Sequence, residues 1–375
     1  MFGKKIRLFK ILGFTVDLDL SWFLIFLLIT WSLATGVYPS QFSGLSKLAY
    51  WLMGAASAIG LFLSVILHEL MHSIIARRYG LPMKGITLFI FGGVAKMEDE
   101  PPSPKAEFSM AVAGPVTSIV IAAIFYGLSL LAKGSFVPVA IHGVLRYLGF
   151  INGLLAAFNL IPAFPLDGGR ILRSAIWKSK KNLRQATFIT SRIGIGFGFV
   201  LIGLGVVSFL FGSFIGGMWW FLIGIFLINA ARSSYQQLIV RKALEGEKVS
   251  RFMKADPITV PPELSIQELV EDYVYTYHFK LYPVVKNGKL VGCVTTKQVK
   301  DVDRSQWDST TIGDIVTGCS DENSVSPDED AVKVLGRMNR NSISRLMVVE
   351  DSRLLGIIAL KDMLKFISTR VELEG

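Results

Sequence analysis

The 375-residue chain is too apolar for an ordinary water-soluble protein, because 51% of its residues are hydrophobic and its mean hydropathy is +0.50. Its formal net charge of +10 is uneven: residues 1–240 hold 20 Lys and Arg against 8 Asp and Glu, and the remainder holds 19 against 21. Basic loops at a cytoplasmic membrane face account for this excess, so we expect no nucleic acid as a partner. Two cysteines, Cys293 and Cys319, argue against a disulfide framework and against a cysteine zinc site.

Apolar segments long enough to cross a bilayer recur through the first two thirds of the chain. They lie near residues 20–38, 50–76, 107–132, 139–161, 188–212 and 215–237. Basic clusters precede the first segment and follow the second, fourth and sixth, so all four fall on one side if six helices span the membrane. We therefore expect a multi-pass protein of the cell membrane, embedded in the lipid bilayer, with both termini in the cytoplasm.

Two segments beside these helices have the pattern of strands. In GFTVDLDLSW, the apolar residues Val16, Leu18 and Leu20 alternate with aspartates. Alternating and β-branched residues also fill the segment 86–94, where Gly92-Gly93 is the expected bend. Together the two segments predict a small β-sheet at the cytoplasmic interface.

The second apolar segment contains HELMH, which puts three ionisable side chains inside an expected spanning helix. A charged group at the bilayer centre costs about 2.5–3.5 kcal/mol on insertion scales. His68 and His72 are four residues apart, so on a helix they share one face and can bind one Zn²⁺ as neutral imidazoles. Glu69 would then lie beside a zinc-activated water, whose proton it can accept as general base. The alternative is that these residues only line a contact between helices.

A catalytic zinc site needs a third protein ligand and an open fourth position. Asp167, in NLIPAFPLDGGR, is the candidate because it follows an apolar segment and carboxylates are scarce in this part of the chain. Asp-Gly-Gly by itself indicates a turn, and a plain turn is the alternative. The neighbouring prolines and glycines break the helix, however, which membrane proteins tolerate where the backbone lines a wet cavity.

HELMH followed by the pattern N-x-x-P-x-x-P-x-D-G resembles the site-2 protease family of intramembrane metalloproteases. The resemblance covers about residues 10–235 and includes Phe-Gly-Gly-Val-Ala before the third segment and Ala-Gly-Pro within it. It implies that Asp167 completes the zinc site and that Asn159 steadies the reacting carbonyl or its oxyanion. The implied fold is a polytopic α-helical membrane domain at residues 1–240, with about six transmembrane helices and a small interfacial β-sheet.

Phe91, Gly92, Gly93 and Val94 belong to the second strand-like segment and are candidates for substrate binding. A helical peptide hides its carbonyl groups in its own hydrogen bonds, so a protease needs an extended substrate. An exposed edge strand could pair with such a substrate by β-augmentation. A purely structural hairpin is an equal alternative.

From about residue 250 the chain has the composition of a soluble domain and repeats itself. Leu281–Val285 aligns with Arg345–Val349, and Gly292 aligns with Gly356 at the same 64-residue offset. The duplication resembles a tandem CBS-domain pair of α+β type. We expect its two copies at residues 248–305 and 308–370.

Tandem CBS domains commonly bind adenine nucleotides between the copies, which implies Thr295 and Asp362 as nucleotide contacts. Each copy lacks one residue of the family pattern G-x-x-T-x-x-D, because Gln298 replaces Asp in the first and Ala359 replaces Thr in the second. At most one good nucleotide site is therefore implied. A degenerate pair used for homodimer formation or substrate docking is an equal alternative.

These features favour a zinc-dependent intramembrane endopeptidase that cleaves transmembrane segments of membrane-bound regulatory proteins. Its activity would belong to regulated intramembrane proteolysis, with control by adenine nucleotide at the CBS pair. One alternative is a CBS-regulated membrane metal transporter, which has no need for Glu69 between the histidines or for the distant Asp-Gly-Gly turn. Another is an inactive scaffold that keeps the protease-like fold.

Overall fold

The chain folds into two compact units, Met1–Tyr235 and Gln236–Gly375. A computed structural model describes residues 5–90, 92–97, 100–133, 137–320, 322–351 and 353–374. Six of the described helices are long and apolar enough to cross a membrane, which confirms the predicted spans. These segments are Ser21–Gln41, Lys47–Arg78, Pro104–Ala132, Val139–Asn159, Leu183–Leu210 and Phe214–Leu244.

The spans are built from seven described helices, and one further amphipathic helix follows the fourth span. The bounds are α1 Ser21–Ser32, α2 Tyr38–Gln41, α3 Lys47–Arg78, α4 Pro104–Ala132, α5 Val139–Asn159, α6 Asp167–Lys180, α7 Leu183–Leu210 and α8 Phe214–Leu244. The π-helical turn Leu33–Val37 joins α1 to α2, so they form a single span. Ser46 and Ser103 cap the N-termini of α3 and α4 by accepting hydrogen bonds from backbone N–H groups three residues on.

A four-stranded sheet in the order β1-β2-β3-β4 packs against α1 and α3, which confirms the small sheet predicted beside the helices. Its strands are β1 Lys5–Ile11, β2 Phe14–Asp19, β3 Met83–Phe89 and β4 Gly92–Met97. β2 and β3 pair in parallel, and the outer pairs are antiparallel. Alternate residues of β2 and β3 bury one face of the sheet against Phe62 and Val65 of α3.

The predicted bend between the two strands of the second segment is wrong in position. Gly92 and Gly93 do not form the bend; they begin β4, and Gly92 pairs with Phe89 of β3. Gly92 has a φ of +124°, a conformation that L side chains rarely adopt, so glycine allows the strand to start directly after the reversal. The strand β1 is not predicted from the sequence, where its basic residues indicate only membrane orientation.

The second unit contains the predicted duplicated module, a β-hairpin followed by a helix in each copy. The strands are β5 Lys254–Ala255, β6 Leu281–Lys286, β7 Lys289–Thr295, β8 Ser324–Val325, β9 Arg345–Glu350 and β10 Arg353–Ala359. The helices are α9 Ile266–Glu268, α10 Tyr275–Tyr277, α11 Thr296–Lys300, α12 Ile312–Ile315, α13 Ala331–Asn341 and α14 Leu360–Glu374. β6 pairs with β7, and the other four strands form a sheet in the order β5-β10-β9-β8.

Each copy pairs the segment before its own β-hairpin with the hairpin of the other copy. β5, at the start of the first copy, pairs with β10 of the second, and Thr317, near the start of the second copy, bridges to Cys293 of β7. A Cβ at Gly356 would overlap the carbonyl oxygen of Lys254, and one at Gly292 would overlap that of Thr317. The glycine repeated at a 64-residue offset is therefore needed for the close crossing of these segments.

Candidate metal centre

The two histidines of HELMH lie on one face of α3 and turn the same ring nitrogen toward each other. His68 Nε2 and His72 Nε2 are 3.1 Å apart, and both rings are buried. One helical turn separates them, as the four-residue spacing predicts. α3 is one of the six helices that can span a membrane, so the pair lies inside a spanning segment.

Asp167 reaches the same point from another helix. It is the first residue of α6, and its Oδ2 lies 3.1 Å from His68 Nε2 and 3.2 Å from His72 Nε2. Within the described ranges, no other group of three His, Cys, Asp or Glu side chains converges in this way. The fold thus brings together the three residues that the sequence predicts as metal ligands.

The glycines after Asp167 hold it in place by allowing a close backbone contact. A Cβ at Gly168 would overlap the carbonyl oxygen of Leu160, and one at Gly169 would overlap the backbone at Phe164. The segment 160–166 therefore lies directly against the first turn of α6. Because nothing larger than glycine fits there, the Asp-Gly-Gly sequence fixes where the carboxylate enters the site.

The three ligand atoms have the spacing of a tetrahedral zinc site. Bonds of about 2.0–2.1 Å from zinc to nitrogen and oxygen give tetrahedral edges of about 3.3–3.4 Å. The observed separations of 3.1, 3.1 and 3.2 Å are close to these edges. Zinc therefore fits between the three side chains after a small outward movement of each.

The hydrogen bond on the far side of one ring also fits a metal. His72 Nδ1 lies 2.6 Å from the carbonyl oxygen of Met110, which can only accept, so Nδ1 carries the proton of the neutral ring. Nε2 then presents a lone pair toward the carboxylate oxygen of Asp167. Two such acceptors repel each other at 3.2 Å, and a cation bound between them removes the repulsion.

One face of α4 closes the other side of the site. Ser118 Oγ lies 2.8 Å from His68 Nδ1, and Met110 holds His72 as described above. Gly114 lies between them on the same face, because residues four apart stack along a helix. A Cβ at Gly114 would overlap Nε2 of both histidines, so glycine keeps the space at the ligand atoms open. Ser118 and Met110 are contacts that the sequence does not predict.

Glu69 lies between the histidines in sequence and against the sheet in space. A Cβ at Gly93 of β4 would be 2.7 Å from Glu69 Cγ, so strand and side chain are in direct contact. The Glu69 carboxylate is close enough to interact electrostatically with His72, His68 and Arg170, which attract it, and with Asp167, which repels it. The predicted general base therefore adjoins one of the predicted substrate-binding residues.

Asn159 and the predicted substrate-binding residues also lie in the first unit. Asn159 is the last residue of α5, and its Nδ2 donates a hydrogen bond of 3.1 Å to the carbonyl oxygen of Leu155. Gly92, Gly93 and Val94 belong to β4, one of the two edge strands of its sheet. Phe91 lies outside the described residues.

A buried ion pair beside the metal centre is not predicted from the sequence. Arg173 Nε and Nη2 each lie 2.5 Å from Oε1 of Glu107, and the exposed fractions of the two residues are 3% and 0%. Glu107 lies in the first turn of α4, at the edge of the third apolar segment. The signal that could have found it is an acidic residue within an otherwise apolar span, which needs a partner.

In the second unit, Asp362 lines a cleft of about 200 Å³ to which both copies contribute. Lys254 Nζ lies 3.4 Å from Asp362 Oδ1, and the Arg345 guanidinium lies 4.1 Å from the centre of the Phe279 ring. Lys361 and Asp256 also line the cleft, which therefore offers two carboxylates, three cationic groups and an aromatic ring to a ligand.

Thr295 has a different environment. It is the N-cap of α11, and its hydroxyl donates a hydrogen bond of 2.7 Å to Gln298 Oε1. Gln298 Nε2 donates in turn to the carbonyl oxygen of Ile315 and to Thr317 Oγ1, both at 2.7 Å. Gln298 is the repeat equivalent of Asp362. In the first copy, the side chain at this position is already hydrogen-bonded to other residues of the chain.

Two family models match the chain. The model of peptidase family M50 matches residues 56–144 and 128–203, and the CBS-domain model matches residues 249–304 and 312–369. A site-2 protease of known structure from Methanocaldococcus jannaschii is 32% identical and covers 61% of this chain and 94% of its own, with a TM-score of 0.44.

Full-length relatives extend the match over nearly the whole chain. The protein named zinc metalloprotease Rip3 of Mycobacterium tuberculosis is 35% identical over 364 residues, 96% of this chain and 92% of the relative. The zinc metalloprotease MJ0392 of Methanocaldococcus jannaschii is 33% identical over 366 residues, 97% of this chain and 96% of the relative. The chain therefore belongs to peptidase family M50, the site-2 protease family, as a membrane zinc metalloendopeptidase with tandem CBS domains.

Proposed function

We propose that this enzyme hydrolyses peptide bonds within transmembrane segments of membrane-bound regulatory proteins, after a first cut by another protease. The observation that carries the proposal is the convergence of His68, His72 and Asp167 on one point beside Glu69, in helices that are long and apolar enough to span a membrane. A protease centre carried by membrane-spanning helices would meet a membrane-spanning polypeptide as its substrate. The proposed step is the second one in regulated intramembrane proteolysis.

We assign zinc to His68, His72 and Asp167. Zinc bound there would supply a Lewis acid for the substrate carbonyl and would lower the pKa of water toward neutrality. Glu69 accepts the proton of the attacking water and later gives it to the leaving amine nitrogen. Asn159 steadies the oxyanion of the substrate carbonyl once its side chain leaves the carbonyl of Leu155.

We propose that the outer edge of β4 receives the substrate as an added strand. β4 is the last strand in the sheet order, and its Gly93 touches the Glu69 side chain. A substrate segment paired with Gly92, Gly93 and Val94 would be extended, and its carbonyl groups would pass beside the general base. This supports the strand as the element that unwinds and orients the peptide.

The proposal includes a membrane orientation and a domain division. Both termini lie in the cytoplasm, because the basic clusters of the chain then share that side. The protease domain takes residues 1–240, and the two CBS domains take residues 248–305 and 308–370.

We propose that the CBS pair binds one adenine nucleotide per chain, in the cleft lined by Asp362. The carboxylate holds the ribose hydroxyls, and Phe279 stacks on the base in place of the Arg345 guanidinium. In the first copy, the side chains of Thr295 and Gln298 are hydrogen-bonded to each other and are not free to bind a nucleotide. This supports a single nucleotide site per chain. Nucleotide bound there regulates the protease, and a homodimer formed through the pair is the alternative use of these domains.

The test is cleavage of a tagged transmembrane substrate by the purified enzyme in lipid vesicles. Wild-type enzyme should cleave within the spanning segment, and Glu69→Gln should lose activity by a factor of about 10³ or more because no base accepts the water proton. Glu245→Gln, a change of the same type at an exposed residue, is the matched control. Equal cleavage by Glu69→Gln, or Zn²⁺ transport by a wild-type enzyme that cleaves nothing, would contradict the proposal.

A further inference from the structure

The buried ion pair of Glu107 and Arg173 connects the two helices that surround the histidines. Glu107 is on α4, on the same face as Met110, Gly114 and Ser118, which contact the imidazole rings. Arg173 is on α6, whose first residue is Asp167. The pair thus joins the helix that orients the histidines to the helix that carries the carboxylate.

The guanidinium of Arg173 is held from several directions. Besides Glu107, it donates to Glu100 Oε2 at 3.2 Å and to Thr187 Oγ1 of α7 at 3.4 Å. Its centre lies 5.1 Å from the ring of Phe164, in the segment packed on the first turn of α6. A planar, multiply bonded guanidinium fixes both distance and direction, which a packed pair of apolar side chains does not.

A metal site requires its ligand atoms to be placed precisely, and Asp167 is the ligand whose position most needs support. Ligand atoms must lie within about 0.2 Å of their bonding distances, yet Asp167 starts its helix and follows a non-helical segment. Arg173 lies six residues further along α6, about 9 Å along the helix axis. A fixed point there prevents α6 from sliding or turning relative to α4, and so keeps Asp167 Oδ2 near the histidines.

We infer that Glu107 and Arg173 are positioning residues of the metal centre. Their ion pair sets the relation between α4 and α6 and thereby holds Asp167 Oδ2 within bonding distance of a zinc ion on His68 and His72. The inference rests on the proposed assignment of these three residues as zinc ligands. It assigns a role in metal affinity to two charges that touch neither the metal nor the substrate.

The experiment measures zinc affinity by competition with a chelator, the absorption spectrum of the Co²⁺-substituted enzyme, and the thermal unfolding of the zinc-free enzyme. The main variant is the double change Glu107→Met with Arg173→Met. It removes both charges and keeps side-chain bulk, and such replacements of buried pairs are often neutral for folding. The matched control is Lys248→Met with Asp328→Met, which removes both charges of an exposed ion pair.

We expect the double variant to bind zinc about 10–100-fold more weakly and to have an altered Co²⁺ spectrum, while its zinc-free form unfolds at the wild-type temperature. Lys248→Met with Asp328→Met should match the wild type in all three measurements. Wild-type zinc affinity and spectrum in the double variant would overturn the inference.

If the double variant does not fold, Arg173→Lys decides. It keeps the charge but loses the planar fork, so weaker zinc binding is expected and unchanged binding overturns the inference. Asp167→Asn separates the two levels of the argument. If it binds zinc as tightly as the wild type, the proposed ligand set is wrong; if it loses zinc while the double variant does not, only the positioning role is wrong.

Discussion

Gly93 of β4 packs directly against Glu69 of α3, with room for no side chain between the strand and the Glu69 Cγ. The contact joins the residue proposed as the general base to the strand proposed to receive the substrate. It makes the position of the carboxylate depend on the backbone of the sheet. A substitution in the strand should therefore lower the catalytic rate more than it lowers the affinity for zinc.

Gly93→Ala should lower kcat/KM by about 10–100-fold and leave the zinc content unchanged. The new Cβ would be 2.7 Å from Glu69 Cγ, so the carboxylate must move away from its working position. Activity on a transmembrane substrate and zinc per protein are the two measurements. Gly153→Ala is the matched control, since a Cβ at Gly153 meets nothing within 4 Å. Loss of zinc in Gly93→Ala would show that the strand supports the metal site and not the base.

Gly114→Ala, unlike Gly93→Ala, should lower the zinc content of the enzyme. Its Cβ would overlap Nε2 of His68 and of His72, so both rings must turn away from the metal. We expect zinc affinity to fall by about 100-fold or more, as for loss of contacts that orient ligands. Gly127→Ala lies on the same helix, where a Cβ meets nothing within 4 Å, and should keep full zinc content. A fully zinc-loaded Gly114→Ala enzyme would contradict the geometry of the site.

Asp362→Ala should weaken binding of an adenine nucleotide by about 100-fold or more. Hydrogen bonds to a charged group contribute about 1.5–3 kcal/mol each, and the carboxylate is proposed to hold both ribose hydroxyls. Titration calorimetry with ATP and AMP measures the effect. Gln298→Ala changes the repeat-equivalent position and should leave the affinity unaltered. Equal loss in both variants would favour two sites, and binding that is unaffected by Asp362→Ala would exclude this cleft.

The cysteines of the second unit should differ in reactivity, because Cys293 is buried and Cys319 is exposed. Burial raises the pKa of the Cys293 thiol from 9.0 to about 11. A maleimide at pH 8 should therefore label Cys319 well before Cys293. A Cys319→Ser variant that still reacts rapidly at pH 8 would contradict the buried, protonated state of Cys293.

The same pKa predicts how the stability of this unit depends on pH. The folded state holds the Cys293 proton more tightly than the unfolded state, so the stabilisation is complete below pH 9 and is lost as the pH rises toward 11. The loss is at most about 2.7 kcal/mol, from two pKa units at about 1.36 kcal/mol each. Denaturant unfolding at pH 8 and pH 10.5 measures it. Cys293→Ala should remove this part of the pH dependence.

Local features of this protein were predictable from the sequence because they depend only on near neighbours in the chain. Six apolar runs predict six spanning helices, since length and hydropathy suffice for a span. His68 and His72 share a face because helix geometry relates residues four apart. The repeated glycines Gly292 and Gly356 indicate the duplication, although not their purpose.

Contacts between elements distant in the chain were decided by the tertiary structure. A glycine at position 114 is like any small residue of an apolar span until α4 packs against the histidines of α3. Glu107 and Arg173 are 66 residues apart, and only the packing of α4 on α6 makes them partners. The need for glycine at positions 292 and 356 is likewise visible only in the structure, where segments of the other copy cross directly over them. Chain pattern determines which groups are present, and packing determines which of them meet, because a sequence records spacing along one chain and not distance between its helices.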